Sequence, residues 1–348
     1  MKPMELTVFL EKNLRDFTLQ ADFTVRDEVF ALLGASGCGK SMTLKCIAGI
    51  ERPDKGRIVL DGQVLFDSEK GIDQPPQKRQ LGYLFQNYAL FPNMTVAENL
   101  RFVMKEESGS KVQKLLQRFQ LEGLEDAYPA ALSGGQQQRV AFARILASEA
   151  KLLLLDEPFS ALDSYLKWQL ETELMDMLPA YCGTALLVSH DRGEAYRLAD
   201  KIAVINLGQM ETPADKKELF RHPRTLSATL LTGCKNISAA QREDESHIYA
   251  ADWKLSLKTS TEPSSGTKYA GIRAHFLEPR EGAEGENVFP MEVVRVIEDT
   301  FSFIIMIRPA GQDAAPIRWE LEKKDWQRLS GRDLFIYFPP EAIMLLES

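Results

Sequence analysis

Apolar residues follow different spacings along the chain, and each spacing predicts a different kind of element. Residues 5–33 alternate apolar and polar positions, which is the period of half-exposed antiparallel strands. Consecutive apolar positions at 152–155, 185–188 and 202–205 predict central parallel strands that are covered on both faces. Helices are predicted between these strands. Such alternation predicts an α/β sheet whose functional loops lie at the carboxyl ends of the strands.

Two changes of pattern divide the rest of the chain. From Thr95 to Ala150 the spacing becomes helical, and past about residue 231 short β-like runs alternate with turn-rich segments. The second change predicts a small all-β barrel or sandwich appended to the α/β domain. We therefore expect a first domain at 1–231, with a helical subdomain at about 87–149, and a β domain at 232–348.

Composition and charge narrow the classes of partner. A net charge of -8 argues against a broad nucleic-acid footprint, so we expect no nucleic-acid partner. No apolar run reaches the roughly 18 residues of a membrane span, and the first residues do not follow a signal-peptide pattern. The four cysteines show neither a CxxC pair nor metal-ligand spacing. These features predict a reduced, cytoplasmic protein that would reach a membrane only through partner chains.

A glycine-rich loop stands between a predicted strand and a predicted helix. It reads Gly34-Ala35-Ser36-Gly37-Cys38-Gly39-Lys40-Ser41 and fits G-x-x-x-x-G-K-[ST]. Backbone N–H groups of such a loop wrap phosphate oxygens, and the dipole of the following helix favours the same negative charge. Lys40 would reach the β- and γ-phosphates and Ser41 would bind Mg²⁺. A chance glycine-rich turn is the alternative, and the strand–loop–helix context favours nucleotide binding.

A second segment combines a helix cap with two glycines. It reads Ser133-Gly134-Gly135-Gln136, and Ser133 with Gln136 fits a capping box. Two glycines in a first helical turn cost about 1 kcal/mol each relative to alanine, and capping alone does not need them. Glycines there leave N–H groups that a phosphate can approach closely. The segment therefore predicts phosphate binding in addition to capping.

Six segments together resemble one family. In chain order they are 34–41, Gln86, 132–136, 152–157, 160–163 and His190. They resemble the Walker A loop, Q-loop, signature, Walker B strand with its following glutamate, D-loop and H-loop of the ATP-binding-cassette (ABC) ATPases. The resemblance covers roughly residues 1–231. It implies an α/β P-loop NTPase with a RecA-like core, an antiparallel β subdomain and a helical subdomain, followed by a small all-β OB/TOBE-like domain.

The resemblance also implies a role for each polar residue of these motifs. Asp156 would supply a carboxylate to Mg²⁺, which prefers oxygen ligands. Glu157 would be the catalytic base that polarises the attacking water. Gln86 would reach Mg²⁺ or that water, and His190 would donate to the γ-phosphate and hold Glu157 in line. Asp163 of the D-loop would belong to the nucleotide site. Positioning and charge stabilisation are what phosphoryl transfer mainly needs.

The family's signature acts on ATP bound to a second cassette, and this chain has one copy of each motif. The resemblance therefore implies a homodimer with two ATP molecules at its interface. Ala35 and Met42 depart from the common Walker A residues without affecting its chemistry. The aromatic residue that would stack on adenine is less defined. Phe17 is our candidate, and a core-facing strand residue is the alternative interpretation.

A separate ATPase chain with a C-terminal β domain is similar to the ATPase subunits of importers. Gly271-Ile272-Arg273 looks like a segment of the TOBE domains found there. The resemblance implies that membrane permease subunits dock at residues 86–92, that a solute-binding protein acts indirectly, and that the protein lies at the cytoplasmic face of the membrane.

The cargo is expected to be an oxyanion. Residues 56–102 and 232–236 most resemble molybdate/sulfate-type importers, so molybdate or tungstate is the first expectation and sulfate the second. Polyamine, iron and sugar importers share the catalytic motifs and stay open. A soluble cassette protein acting on ribosomes or DNA, and an anion sensor with little hydrolysis, are further alternatives. The intact Glu157 and His190 argue against the sensor.

Overall fold

The computed structural model describes residues 4–104, 109–160, 162, 164–178 and 184–347. The chain forms two units, Met1–Lys216 and Lys217–Ser348. The predicted boundary after residue 231 stays a prediction, and it lies further along the chain than the division between these units.

One large sheet runs through the first unit. Its strands are β1 (Glu5–Asn13), β2 (Thr18–Arg26), β3 (Val29–Leu33), β4 (Lys55–Leu60), β5 (Gln63–Asp67), β6 (Ile72–Asp73), β7 (Leu81–Leu84), β8 (Leu152–Asp156), β9 (Thr184–Ser189), β10 (Lys201–Asn206), β11 (Gln209–Met210) and β12 (Ala214–Asp215). They lie in the order β6-β5-β4-β1-β2-β11-β10-β3-β9-β8-β7, and β12 pairs with β10. Strands β10, β3, β9, β8 and β7 pair in parallel, whereas β1, β2, β4, β5 and β6 pair antiparallel.

The two predicted strand patterns correspond to these two regions of the sheet. Every residue of β8 and β9 is buried, as consecutive apolar positions require of strands covered on both faces. Strand β2 alternates buried and exposed residues along its length. The expected α/β class and its antiparallel subdomain are therefore confirmed.

Helices of the first unit cover the parallel strands or follow them. They are α1 (Lys40–Ala48), α2 (Val96–Arg101), α3 (Gly109–Arg118), α4 (Gly134–Ala147), α5 (Ser164–Met177) and α6 (Arg192–Leu198). The apolar side of α1 packs into the core cluster of the sheet through Leu44 and Ile47. Between β7 and β8 the described residues form α2, α3 and α4, in the region predicted to be helical.

Among its described residues, the second unit has three α-helices and two antiparallel sheets of five strands each. Helix α7 (Lys216–Arg221) spans the boundary, α8 (Leu226–Leu231) follows it, and α9 (Lys323–Leu329) lies late in the chain. The strands are β13 (Asn236–Arg242), β14 (His247–Ala250), β15 (Leu255–Lys258), β16 (Tyr269–Ile272), β17 (Glu278–Arg280), β18 (Val288–Glu298), β19 (Ser302–Pro309), β20 (Ile317–Glu322), β21 (Leu334–Tyr337) and β22 (Met344–Leu346). The sheets run β15-β14-β13-β16-β22 and β17-β21-β18-β19-β20. This confirms the expected all-β domain.

Arg273 explains why residues 217–231 pack with the β domain. Its guanidinium donates to the carbonyl oxygens of Phe220, at 2.6 Å, and Thr232, at 2.9 Å. Hydrogen bonds from a charged donor stabilise by about 1.5–3 kcal/mol. The arginine singled out in the TOBE-like segment is thus engaged in holding the chain that leads into the β domain.

Arg79 joins the end of α1 to the segment before β7. Its side chain is fully buried and donates to the carbonyl oxygens of Cys46 and Ile47 at 2.9 and 2.8 Å. It also bonds the carbonyl of Gln74 and the carboxylate of Asp73. The last carbonyls of a helix lack partners within the helix, and this guanidinium supplies them. Burial lowers the pKa of Arg79, and Asp73 opposes that effect.

We predict that Arg79→Met lowers the free energy of unfolding by about 3 kcal/mol, because the variant removes the buried guanidinium that donates to the carbonyl oxygens at the end of α1 and pairs with Asp73. Chemical denaturation of the full chain measures the change. Arg26→Met is the matched control, because Arg26 pairs with Glu5 on the surface and its loss should cost less than about 1 kcal/mol. Equal losses in the two variants would contradict the role of Arg79.

Candidate functional site

The loop at 34–41 follows β3 and leads directly into α1. Gly37 and Gly39 adopt φ values of +82° and +113°, a region that favours glycine. A Cβ atom at Gly34 would lie 2.4 Å from the carbonyl oxygen of Ile205, so only glycine fits there. Lys40 Nζ donates to the carbonyl oxygens of Gly34 and Ala35, both at 2.8 Å. The loop therefore holds the buried ammonium group of Lys40 against its own carbonyl oxygens.

The carboxylate of Asp156 meets this loop from another strand. Asp156 is the last residue of β8, and its Oδ1 accepts a hydrogen bond of 2.6 Å from Ser41 Oγ. Its Oδ2 accepts one of 2.8 Å from the Tyr83 hydroxyl. Burial first, and the neighbouring carboxylate second, raise the pKa of Tyr83, so the phenol is protonated at neutral pH and can donate. Sequence reasoning had missed Tyr83.

Three predicted catalytic residues converge beside Asp156. Gln86 Nε2 lies 3.4 Å from Glu157 Oε2, and His190 Nδ1 lies 3.4 Å from the same oxygen. Glu157 has a φ of +47°, which is uncommon for a residue other than glycine, and its N–H donates to the carbonyl of Val188. This backbone geometry directs the glutamate into the group although the preceding residue ends a strand. Strained residues of this kind cluster at functional sites.

The oxygen atoms at this point suit a hard divalent cation. The hydroxyl of Ser41 and the carboxylate of Asp156 meet here, and such cations prefer oxygen ligands. Within the described part of the chain, no group of three or more His, Cys, Asp and Glu residues could hold a metal. The residues therefore fit a cation that takes its remaining ligands from phosphates and water.

The segment 133–136 forms the predicted cap of α4. Ser133 Oγ accepts from the Gln136 N–H at 3.3 Å, and Gln136 Oε1 accepts from the Ser133 N–H at 2.9 Å. A Cβ at Gly134 would meet nothing within 4 Å, whereas one at Gly135 would lie 2.4 Å from Leu166 Cδ2. Packing against α5 thus gives a second reason for Gly135. A Cβ at Gly134 would meet no neighbour among the described residues, and close approach of a phosphate to this glycine stays a prediction.

The other nucleotide-binding candidates lie at or near the loop. Phe17 packs beside Gly208, whose N–H donates to the carbonyl of Cys38 at 3.2 Å. Phe17 and Met42 both contact the core cluster, so the core-facing interpretation of Phe17 also has support. Asp163 lies outside the described residues. The roles assigned to these residues stay predictions.

Comparison with known proteins decides the family. The ABC transporter family model matches residues 19–160. The sulfate/thiosulfate import ATP-binding protein CysA of Nitrosomonas europaea is 34% identical over 317 residues, covering 87% of this chain and 85% of that protein. The chain belongs to the ABC transporter ATP-binding family. It is an ABC ATPase, as its motifs led us to expect.

Other relatives and solved structures agree with this assignment. CysA of Thermosynechococcus vestitus is 40% identical and the match covers 70% of this chain and 74% of that protein. The spermidine/putrescine import ATP-binding protein PotA of Nitrosomonas europaea is 41% identical, and the match covers 66% of each chain. CbiO1 of Clostridium perfringens, part of the CbiONQ complex, superposes with a TM-score of 0.53 at 30% identity, covering 62% of this chain and 90% of that one.

A further structure of this ABC family is dimeric. The ATP-binding cassette MJ0796, in a post-hydrolysis state with ADP and Pi, has a TM-score of 0.50 at 27% identity, covering 61% of this chain and 98% of that one. Among the residues that the structure of our ABC ATPase describes, every helix is too short or too polar to cross a bilayer.

The variant Gly134→Ala tests phosphate binding by the signature separately from the capping of α4, because the two roles predict opposite effects. Because alanine forms helix better and has open space here, we predict that the free energy of unfolding rises by up to about 1 kcal/mol. Because the added methyl group obstructs close approach to the N–H groups, kcat for ATP hydrolysis should fall by about 10-fold or more. Denaturation and a steady-state hydrolysis assay measure the two effects.

Gly109→Ala is the matched control, since Gly109 begins α3 and also faces open space. It should alter stability in the same direction and leave hydrolysis unchanged. Full activity in Gly134→Ala would remove the phosphate-binding role of that residue.

Proposed function

We propose that the chain hydrolyses ATP with Mg²⁺ and thereby energises import across a membrane. Two adjoining contacts carry this proposal: Gln86 and His190 both meet the carboxylate of Glu157, and Ser41 meets that of the preceding residue, Asp156. Phosphoryl transfer requires groups that position water and stabilise charge rather than covalent chemistry. The arrangement supplies both within one edge of the parallel sheet.

Each residue has one physical task in this reaction. Lys40 exchanges its bonds to loop carbonyls for the β- and γ-phosphates. Ser41, Asp156 and Gln86 would hold Mg²⁺, which supplies charge neutralisation at the phosphates.

Glu157 accepts a proton from the attacking water. His190 orients the carboxylate of Glu157, since its Nδ1 lies 3.4 Å from Oε2 of that residue.

A second copy of the chain completes the site in this proposal. The chain carries one phosphate loop and one signature, and Ser133 and Gly134 are exposed at the start of α4. The N–H groups there are accessible to a phosphate on another molecule. The dimeric state of the MJ0796 cassette supports the same arrangement here, a homodimer that encloses two ATP molecules.

Residues 86–92 are the proposed docking segment for permease subunits. Tyr88 and Ala89 adopt φ values of +61° and +43°, and Arg144 of α4 donates to their carbonyl oxygens at 2.9 and 2.8 Å. Burial lowers the pKa of Arg144. Arg144 bonds this segment to α4, the helix that begins at the signature. A permease that displaced the segment would therefore also shift the signature. The chain would then act at the cytoplasmic face of the membrane, with a solute-binding protein delivering cargo.

The proposed cargo is a tetrahedral oxyanion. The CysA relative that matches over 85% of its length is named for sulfate/thiosulfate import, which supports sulfate beside the expected molybdate or tungstate. PotA, named for spermidine and putrescine, makes polyamines the second candidate. Uptake of labelled sulfate, molybdate and spermidine in cells lacking this chain distinguishes them. We expect loss of oxyanion uptake alone, and loss of spermidine uptake alone would overturn the oxyanion proposal.

Glu157→Gln tests the hydrolytic step. The amide cannot accept a proton from the attacking water, so we predict that kcat falls by about 100-fold or more, with ATP still bound. A hydrolysis assay and nucleotide retention after gel filtration measure these two outcomes. Glu122→Gln on the exposed surface is the control and should retain activity. Undiminished hydrolysis in Glu157→Gln would remove this glutamate from the mechanism.

A further inference from the structure

The hydroxyl of Tyr83 is the second hydrogen-bond donor to the carboxylate of Asp156. Tyr83 Oη lies 2.8 Å from Oδ2, while Ser41 Oγ lies 2.6 Å from Oδ1. Each oxygen thus has its own donor, on a different element. A carboxylate held at both oxygens cannot rotate about its last bond without breaking a hydrogen bond.

The position of Tyr83 is fixed independently of Asp156. Tyr83 lies in β7, where it is paired in register with Leu154 of the neighbouring parallel strand β8. Its ring contacts that of Phe85, with 4.4 Å between centroids, and packs against the core cluster of the sheet. The backbone pairing and ring packing therefore bring the hydroxyl to Oδ2 before any ligand binds.

The two donors differ in what they do when a cation binds. Ser41 is itself a proposed ligand of Mg²⁺, so its hydroxyl would turn from Asp156 toward the metal. Tyr83 contacts the other oxygen and is outside the set of proposed ligands. After that exchange, Tyr83 is the donor that still orients the carboxylate. Hydrogen-bond partners of metal ligands typically raise metal affinity 10–100-fold.

We propose that Tyr83 is a positioning residue that orients the carboxylate of Asp156 for Mg²⁺ through its hydrogen bond to Oδ2. The proposal rests on the proposed magnesium site. It assigns to Tyr83 an effect on metal affinity, with nucleotide binding in the absence of metal left unaffected. A loss of metal affinity alone would indicate that Tyr83 orients the metal ligand Asp156. A loss of nucleotide binding without metal as well would indicate that Tyr83 stabilises the whole site.

Tyr83→Phe removes the hydroxyl and keeps the ring. In the full chain, binding of a fluorescent ATP analogue is measured while Mg²⁺ is titrated, and again in EDTA. We expect the half-saturating Mg²⁺ concentration to rise about 10-fold, and the affinity in EDTA to stay within about twofold of wild type. Tyr249→Phe, in β14 of the other unit, is the control and should match wild type.

Several outcomes would overturn the proposal. An unchanged Mg²⁺ dependence in folded Tyr83→Phe, verified by its unfolding midpoint, removes the positioning role. Equal losses with Mg²⁺ and in EDTA would make Tyr83 a structural support of the whole site, which also contradicts it. Wild-type binding that does not depend on Mg²⁺ would instead refute the magnesium site itself, so the two failures are distinguishable.

Discussion

The parallel strand register that brings Ser41 against Asp156 is the constraint on which the site depends. Ser41 follows β3 and Asp156 ends β8, and β9 lies between these two strands in the sheet. Leu33 pairs with Ser189 and Asp156 with Val188, so the parallel register aligns all three strand ends. The loop and the carboxylate meet because strands that are buried along almost their whole length hold this register. A slip by one residue would exchange the faces of a strand and separate the two groups.

Backbone strain occurs in the catalytic group and in the proposed docking segment, among other places in the chain. Glu157, Tyr88 and Ala89 all have positive φ, and residues of this kind store about 1–3 kcal/mol each. The strain at Glu157 is offset by its N–H bond to Val188, and that at the docking segment by the guanidinium of Arg144. These hydrogen bonds leave the two segments few alternative conformations. A displacement of either segment would therefore also move the strand or helix to which it is bonded.

Sequence patterns predicted the parts of the fold that local chemistry determines. Consecutive apolar positions identified the central strands, and the glycine loop, the capping box and the acidic strand end identified the groups that meet at the site. Residues whose role depends on tertiary neighbours were beyond such reasoning. The bond from Tyr83 to Asp156 requires the pairing of β7 with β8, and no local spacing encodes it.

Arg79 and Gly135 illustrate the same limit. The buried arginine reads as an ordinary basic residue after a proline pair, and only the fold brings the end of α1 to it. Gly135 was interpreted as a phosphate-binding glycine, and the neighbouring Leu166 gives it a packing role as well.

In the proposed dimer, one ATP site is built from two copies of the chain. This composite site is tested most directly by mixing two variants, Lys40→Ala with a defective phosphate loop and Gly134→Arg with a blocked signature. Each variant alone should hydrolyse little ATP. The mixture should recover hydrolysis, because the mixed dimer unites the intact loop of one copy with the intact signature of the other. A mixture as inactive as its components would contradict a composite site.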